Sequence, residues 1–168
     1  STFIASATSY STQGCATIPF YIFYSMFGFQ RVADLIWSAA DQRARGFLIG
    51  ATSGRTTLNG EGLQHQDGHS LLMAHTNPAI RAYDPAFAYE LATIIRAGID
   101  EMYVDEKDLM YYIAVYNENH PMPPKPAGVD EGIIKGAYKL RSAPKGEGPI
   151  VRLSGTGPIM LQLFSAVE

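Results

Sequence analysis

Three short runs of mostly apolar residues constrain the fold of this chain more than any other feature. They are IPFYIFY at Ile18–Tyr24, GFLIGATSG at Gly46–Gly54 and LMYYIAVY at Leu109–Tyr116. A strand that is buried on both faces of a sheet has this pattern, because neither set of alternating side chains meets water. We therefore predict parallel strands at these positions, with the first run as a central strand.

Helical patterns separate the runs. A further strand is predicted for IRAYDP at 80–85. Four segments are amphipathic or rich in small residues at helical spacing. The helical segments are 1–12 (closed by Gln13-Gly14), 30–44, 71–75 and 86–102 (opened by Pro85). Alternating strands and helices predict an α/β fold, a parallel sheet with helices on both faces that receives ligands at the carboxyl ends of its strands.

A domain boundary is predicted near the end of the chain. The segment APKGEGP at 143–149 is typical of a linker. Residues 150–168, IVRLSGTG followed by an apolar helical pattern, then resemble the opening strand and helix of a second α/β unit. We expect one domain at 1–142, the start of another at 150–168, and truncation at both ends.

Composition excludes several classes of function. The chain is 46% hydrophobic and 17% charged, with a formal net charge of −3 and no basic stripe, which argues against binding to nucleic acid. Its longest apolar stretch is shorter than the roughly 20 residues of a membrane-spanning helix. A single cysteine, Cys15, permits no intrachain disulfide and fits the cytoplasm.

The candidate chemistry lies in the loop NGEGLQHQDGH, Asn59–His69, which follows a predicted strand. Glu61, His65, Asp67 and His69 alternate there with glycines, a composition suited to acid–base catalysis near neutral pH. A solvated surface loop is the alternative with no function. The residues His65, Asp67 and His69 also permit a metal site, and hence a metal-dependent hydrolase, although their spacing is unspecific.

Two other features lie beside this loop. The segment GATSGRTT at 50–57 differs from a phosphate-binding loop, since three residues rather than four separate its glycines and Arg55 replaces the lysine. Arg55 is still the arginine best placed to meet an anion. Tyr24 and Phe27 fall at the carboxyl end of the first predicted strand, where an aromatic ring can stack on a planar ligand.

Long consecutive blocks of the sequence resemble one family. FYIFYSMFGFQR, DQRARGFLIGATSGRTTLNGEGLQHQDGHS and YDPAFAYE resemble the thiamine-diphosphate-dependent decarboxylase of the pyruvate dehydrogenase complex, in its homodimeric bacterial type. The resemblance implies a transketolase-like pyrimidine-binding domain for residues 1–142. It also implies a substrate, pyruvate, and a partner, the lipoyl domain of the dihydrolipoamide acetyltransferase component.

The resemblance also implies roles for individual residues. Phe27 matches the aromatic residue that stacks on the aminopyrimidine ring, and Tyr24 matches a tyrosine of the same pocket. Glu61 and His65 match active-site residues: His65 would stabilise the developing oxygen of the pyruvate adduct, and Glu61 would hold that imidazole.

The resemblance covers only part of a site. The ligands of the diphosphate and of Mg²⁺, and the glutamate that contacts the pyrimidine nitrogen, are expected outside this chain. Gln66 and Leu71 replace an acidic residue and a histidine found in some relatives. We therefore expect the fragment alone to be inactive, and a non-catalytic remnant that serves assembly remains a third hypothesis.

Overall fold

A computed structural model describes residues 2–53, 62–144, 146 and 148–167 of the chain. Its strands are β1 (Phe20–Phe23), β2 (Gly46–Ala51), β3 (Ile80–Tyr83) and β4 (Met110–Val115). Its helices are α1 (Thr2–Ala7), α2 (Ser9–Thr12), α3 (Ser25–Asp41), α4 (Ser70–His75), α5 (Ala88–Ile99), α6 (Asp130–Ile134) and α7 (Ile159–Val167). A 3₁₀ turn occupies Leu63–His65, and a π-helical turn, Asp100–Val104, extends α5.

The strands form one parallel sheet in the order β1-β2-β4-β3. Phe23 pairs with Gly50, and Ala51 pairs with Val115, so neighbouring strands end at nearly the same level. The carboxyl ends of β1, β2 and β4 therefore share one edge of the sheet, as the alternation of strands and helices predicted.

Alternate side chains of β2 and β4 pack into two separate hydrophobic cores, one on each face of the sheet. On one face Leu48, Met110 and Tyr112 pack with buried residues of α1, α3 and α4. On the other face, Phe47, Ile49, Tyr111 and Ile113 pack with buried residues of α5 and α6. Burial on both sides explains why these strands are continuously apolar. The prediction of a parallel sheet with helices on both faces is confirmed.

The prediction of a central position for the first run is wrong. β1 is parallel, but it lies at the edge of the sheet formed by the described residues, and Ile22 is 66% exposed. Tyr21 and Phe23 contact each other and lie on the face that α1 and α3 cover. A continuously apolar run indicates two hydrophobic faces, but it carries no information on how many strands adjoin it.

Two helices begin elsewhere than predicted. α3 starts at Ser25, directly after Tyr24, and not at residue 30. α5 starts at Ala88 and not at Pro85, because the Glu90 carboxylate accepts hydrogen bonds from the backbone N–H groups of residues 86 and 87, at 2.6 and 3.1 Å. A carboxylate at the third helical position satisfies N–H groups that have no partner within the helix.

The strand predicted after the linker is absent from the described residues. Residues 150–156 have no regular structure, and Ile150, Val151 and Leu153 are exposed. A strand forms only with a neighbour that accepts its backbone hydrogen bonds. The segment is instead tied to the end of β3, where Gly157 N–H and the Thr156 hydroxyl donate to the Asp84 carbonyl at 3.2 and 2.6 Å. The domain boundary itself stays a prediction.

Among the described residues, no helix combines the length and the apolar character needed to cross a membrane.

The close packing of α5 on the sheet predicts that Gly98→Ala destabilises the protein. A Cβ at Gly98 would lie 2.8 Å from the ring of Phe47 and 3.2 Å from the ring of Tyr111, so buried side chains must move. We expect a loss of about 1–3 kcal/mol in chemical denaturation of the protein that contains this chain. Gly146→Ala, whose Cβ would meet nothing within 4 Å, is the control. A gain in stability from better helix propensity alone would contradict this packing.

Candidate active site

The predicted site residues converge at the carboxyl ends of β1 and β2. Tyr24 connects β1 directly to α3, so Tyr24 and Phe27 are held at the edge of the sheet by a strand and the first turn of a helix. The loop after β2 returns as the 3₁₀ turn Leu63–His65, which packs against α3. His65 is thereby brought to the same edge.

The imidazole of His65 lies between two aromatic rings. Its ring centroid is 5.5 Å from that of Tyr24 and 5.0 Å from that of Phe27, the latter in an edge-to-face arrangement. The Arg31 guanidinium lies 4.9 Å from the centroid of Phe27. Three of the residues predicted from sequence, Tyr24, Phe27 and His65, therefore form one cluster.

One polar atom of His65 is left without a protein partner in the described part of the chain. Nδ1 is buried there and makes no hydrogen bond, while the backbone N–H of His65 donates to the Gly62 carbonyl at 3.0 Å. A buried unpaired nitrogen costs about 1–3 kcal/mol, which favours a functional role for this ring over simple packing. Glu61 and Arg55, the other predicted site residues of this loop, lie outside the described residues.

Asp67 is the most heavily hydrogen-bonded side chain near the cluster. It is 3% exposed, and it accepts a hydrogen bond from the Ser25 hydroxyl. The Ser53 hydroxyl lies 3.4 Å from the same oxygen, Oδ2. The backbone N–H groups of His69 and Ser70 donate to the other carboxylate oxygen, Oδ1, at 3.0 and 2.9 Å. The carboxylate thus joins the end of β2, the start of α3 and the start of α4.

The hydrogen bonds keep Asp67 ionised despite its burial. Burial alone raises the pKa of this carboxyl, but donors at Ser25, Ser70 and His69 outweigh it and hold the pKa below its ordinary value. An anion inside the protein is stable only when its lone pairs are satisfied in this way.

Tyr112 of β4 extends the network into the sheet. Its hydroxyl lies 2.7 Å from the Ser25 hydroxyl oxygen. Since Ser25 uses its single proton on Asp67, Tyr112 must donate to Ser25. Burial raises the pKa of Tyr112 to about 12, which keeps this donor protonated. The roles of Ser25 and Tyr112 were not predicted from sequence, where the signal was limited to a hydroxyl directly after one apolar run and a hydroxyl within another.

The structure gives no support to the metal-dependent hydrolase. Asp67 points into the interior, and its oxygens are occupied by protein donors. Nε2 of His69 lies 2.7 Å from the side-chain amide of Gln30. In the part of the chain that the structure describes, no group of three or more histidine, cysteine or carboxylate side chains is arranged to hold a metal ion.

The comparison with known proteins decides the family. Residues 1–123 match the family described as "Pyruvate dehydrogenase E1 component middle domain". The chain belongs to this family. The matched residues include all of the described strands, the cluster of Tyr24, Phe27 and His65, and the neighbouring Asp67. The resemblance found in the sequence is thus confirmed.

Individual relatives of this pyruvate dehydrogenase E1 middle domain match 92% or more of the chain. The Pseudomonas aeruginosa protein named "Pyruvate dehydrogenase E1 component" is 56% identical over 168 residues, which are 100% of this chain and 19% of that protein. The proteins of the same name from Escherichia coli K12 and Corynebacterium glutamicum are 55% and 58% identical, over 98% and 92% of this chain and 19% and 17% of their own lengths. The chain spans about a fifth of these relatives.

The lowered pKa of Asp67 predicts a pH dependence of stability in the protein that contains this E1 middle domain. A carboxyl whose pKa is lower in the folded state than in the unfolded state stabilises the fold above the unfolded pKa of about 3.9, and loses that contribution as the pH falls through the folded value. The melting temperatures of the native protein and of Asp67→Asn should therefore differ most between pH 5 and 8. The difference should narrow below about pH 4. A difference that stays constant down to pH 3 would contradict an ionised Asp67.

Proposed function

We propose that this chain supplies the pyrimidine-binding half of the thiamine diphosphate site in a pyruvate dehydrogenase E1 component. The whole protein would decarboxylate pyruvate and transfer the two-carbon unit to a lipoyl group. The observation that carries the proposal is the cluster of Tyr24, Phe27 and His65 at the carboxyl ends of β1 and β2, in a chain of this family. Ligands bind at this edge in open α/β sheets.

The cluster fits an aromatic heterocycle with polar edges. Tyr24 is 50% exposed and Phe27 is partly exposed, so both rings offer surface on which a planar ring can stack. Beside them lies His65, whose buried Nδ1 needs a hydrogen-bond partner. When bound, thiamine diphosphate supplies the electron sink that breaking the bond to the carboxylate of a 2-keto acid requires.

The residues of this chain then have separate tasks. Phe27 stacks on the aminopyrimidine ring and Tyr24 lines the same pocket, which orients the reacting end of the cofactor. His65 holds or donates a proton at the oxygen of the substrate's keto group, where negative charge develops. Glu61, four residues before His65 in the sequence, holds and tunes the imidazole.

The remaining parts of the site belong to the rest of the protein. We expect the ligands of Mg²⁺ and of the diphosphate, and the carboxylate that contacts the pyrimidine nitrogen, to come from outside these 168 residues. The intact protein would be a cytoplasmic homodimer that delivers its product to the lipoyl domain of the dihydrolipoamide acetyltransferase component. This division predicts that the isolated chain has no decarboxylase activity.

The role of His65 predicts that His65→Ala in the intact protein lowers kcat for pyruvate by about 10²- to 10⁴-fold, the usual contribution of a general acid–base group. Release of carbon dioxide is measured at saturating thiamine diphosphate and Mg²⁺. The dissociation constant of thiamine diphosphate should change little, since His65 serves the reacting end. His75→Ala, an exposed histidine of α4, is the matched control and should keep full turnover.

Unchanged turnover in His65→Ala would favour the third hypothesis, in which this domain serves assembly alone. Turnover that is indifferent to thiamine diphosphate would contradict the proposed function as a whole.

A further inference from the structure

We propose that Ser25, Asp67 and Tyr112 form a tether that positions His65 for the reaction. Asp67 and Ser25 act here as positioning residues, because neither belongs to the aromatic cluster itself. The inference rests on the proposed function. It adds to that function a device, internal to this domain, that fixes the distance between the loop and the aromatic pair.

The tether joins the two segments that carry the site. Ser25 lies between Tyr24 and Phe27 in the sequence, and Asp67 lies two residues after His65. The hydrogen bond from the Ser25 hydroxyl to Asp67 therefore links the backbone that presents both rings with the backbone that presents the imidazole. Ser70 adds a second link, since its hydroxyl donates to the Ser25 carbonyl at 2.9 Å.

The network is anchored at both ends. On the loop side, Asp67 is fixed by the backbone N–H groups of His69 and Ser70. On the sheet side, Ser25 accepts a hydrogen bond from Tyr112, which is fully buried in β4. No member can rotate away without leaving a buried polar group unpaired, at a cost of about 1–3 kcal/mol.

The sheet leaves room for the network at one glycine. A Cβ on Gly50 of β2 would lie 2.5 Å from the Tyr112 hydroxyl and 2.9 Å from the Ser25 hydroxyl oxygen. Both distances are below any ordinary contact, so a larger residue would displace the two hydroxyl groups. The absence of a side chain at Gly50 therefore leaves the space in which the Ser25 and Tyr112 hydroxyl groups meet.

Positioning of this kind has a large effect on rate. A displacement of about 1 Å in a catalytic group can cost on the order of 10²-fold in turnover. Among the described contacts, His65 is also held by packing against the rings of Tyr24 and Phe27 and by the hydrogen bond from its N–H to the Gly62 carbonyl. The tether adds a directional link between the segments that carry these rings.

The test is a double-mutant cycle between Ser25 and His65 in the intact protein. Ser25→Ala should lower kcat for pyruvate by roughly 10- to 100-fold at saturating thiamine diphosphate, while the dissociation constant of the cofactor changes much less. In the His65→Ala background, Ser25→Ala should cost less than about 3-fold, because the group that it positions is gone. Ser38→Ala, on the same helix α3 but far along it, is the matched control and should leave kcat unchanged.

Each outcome is decisive. An equal loss from Ser25→Ala with and without His65 would overturn the tether and leave the proposed function intact, since His65→Ala alone tests that function. An unchanged kcat in Ser25→Ala would also overturn the tether. If Ser25→Ala does not fold, as judged by circular dichroism, Tyr112→Phe removes only the terminal hydroxyl and is expected to show the same dependence on His65 with a loss of about 2- to 10-fold. No loss there, or a loss independent of His65, would contradict the proposal.

Discussion

The buried carboxylate of Asp67 is the constraint on which the arrangement of the site depends. An anion that is almost fully removed from water must be surrounded by donors, and its donors come from the start of α3 and from the start of α4. Satisfying this one group therefore fixes the chain after β1 relative to the chain after β2. The two halves of the aromatic cluster lie on those same segments.

The sheet supplies the frame for this carboxylate. Because β1, β2 and β4 are parallel and in register, their carboxyl ends form one edge, and Tyr112 reaches that edge from within β4. The two cores on either face keep β2 and β4 rigid. Among the described residues, His65 is one of those with an unpaired buried nitrogen, and it lies at the carboxyl ends of the strands, where open α/β sheets receive ligands.

The strands β2 and β4, and the loop Asn59–His69 as the candidate site, could be predicted from sequence because their signals are local. Apolar runs predict buried strands, and the resemblance of long blocks predicted the cluster of Tyr24, Phe27 and His65. The sequence-based predictions were wrong or incomplete where an arrangement depends on residues that are far apart in the chain. The place of β1 at an edge depends on neighbours, and the roles of Ser25 and Tyr112 depend on contacts across 42 and 87 positions in the chain. The residues next to a serine or a tyrosine in the sequence do not indicate that its hydroxyl has a distant hydrogen-bond partner.

An experimental structure of the intact protein with thiamine diphosphate bound would test this arrangement directly. We expect the aminopyrimidine ring to lie against Phe27 and Tyr24 at the carboxyl ends of β1 and β2, with His65 facing the reacting end of the cofactor. Thiamine diphosphate bound away from this edge, with Phe27 and His65 out of contact, would contradict it.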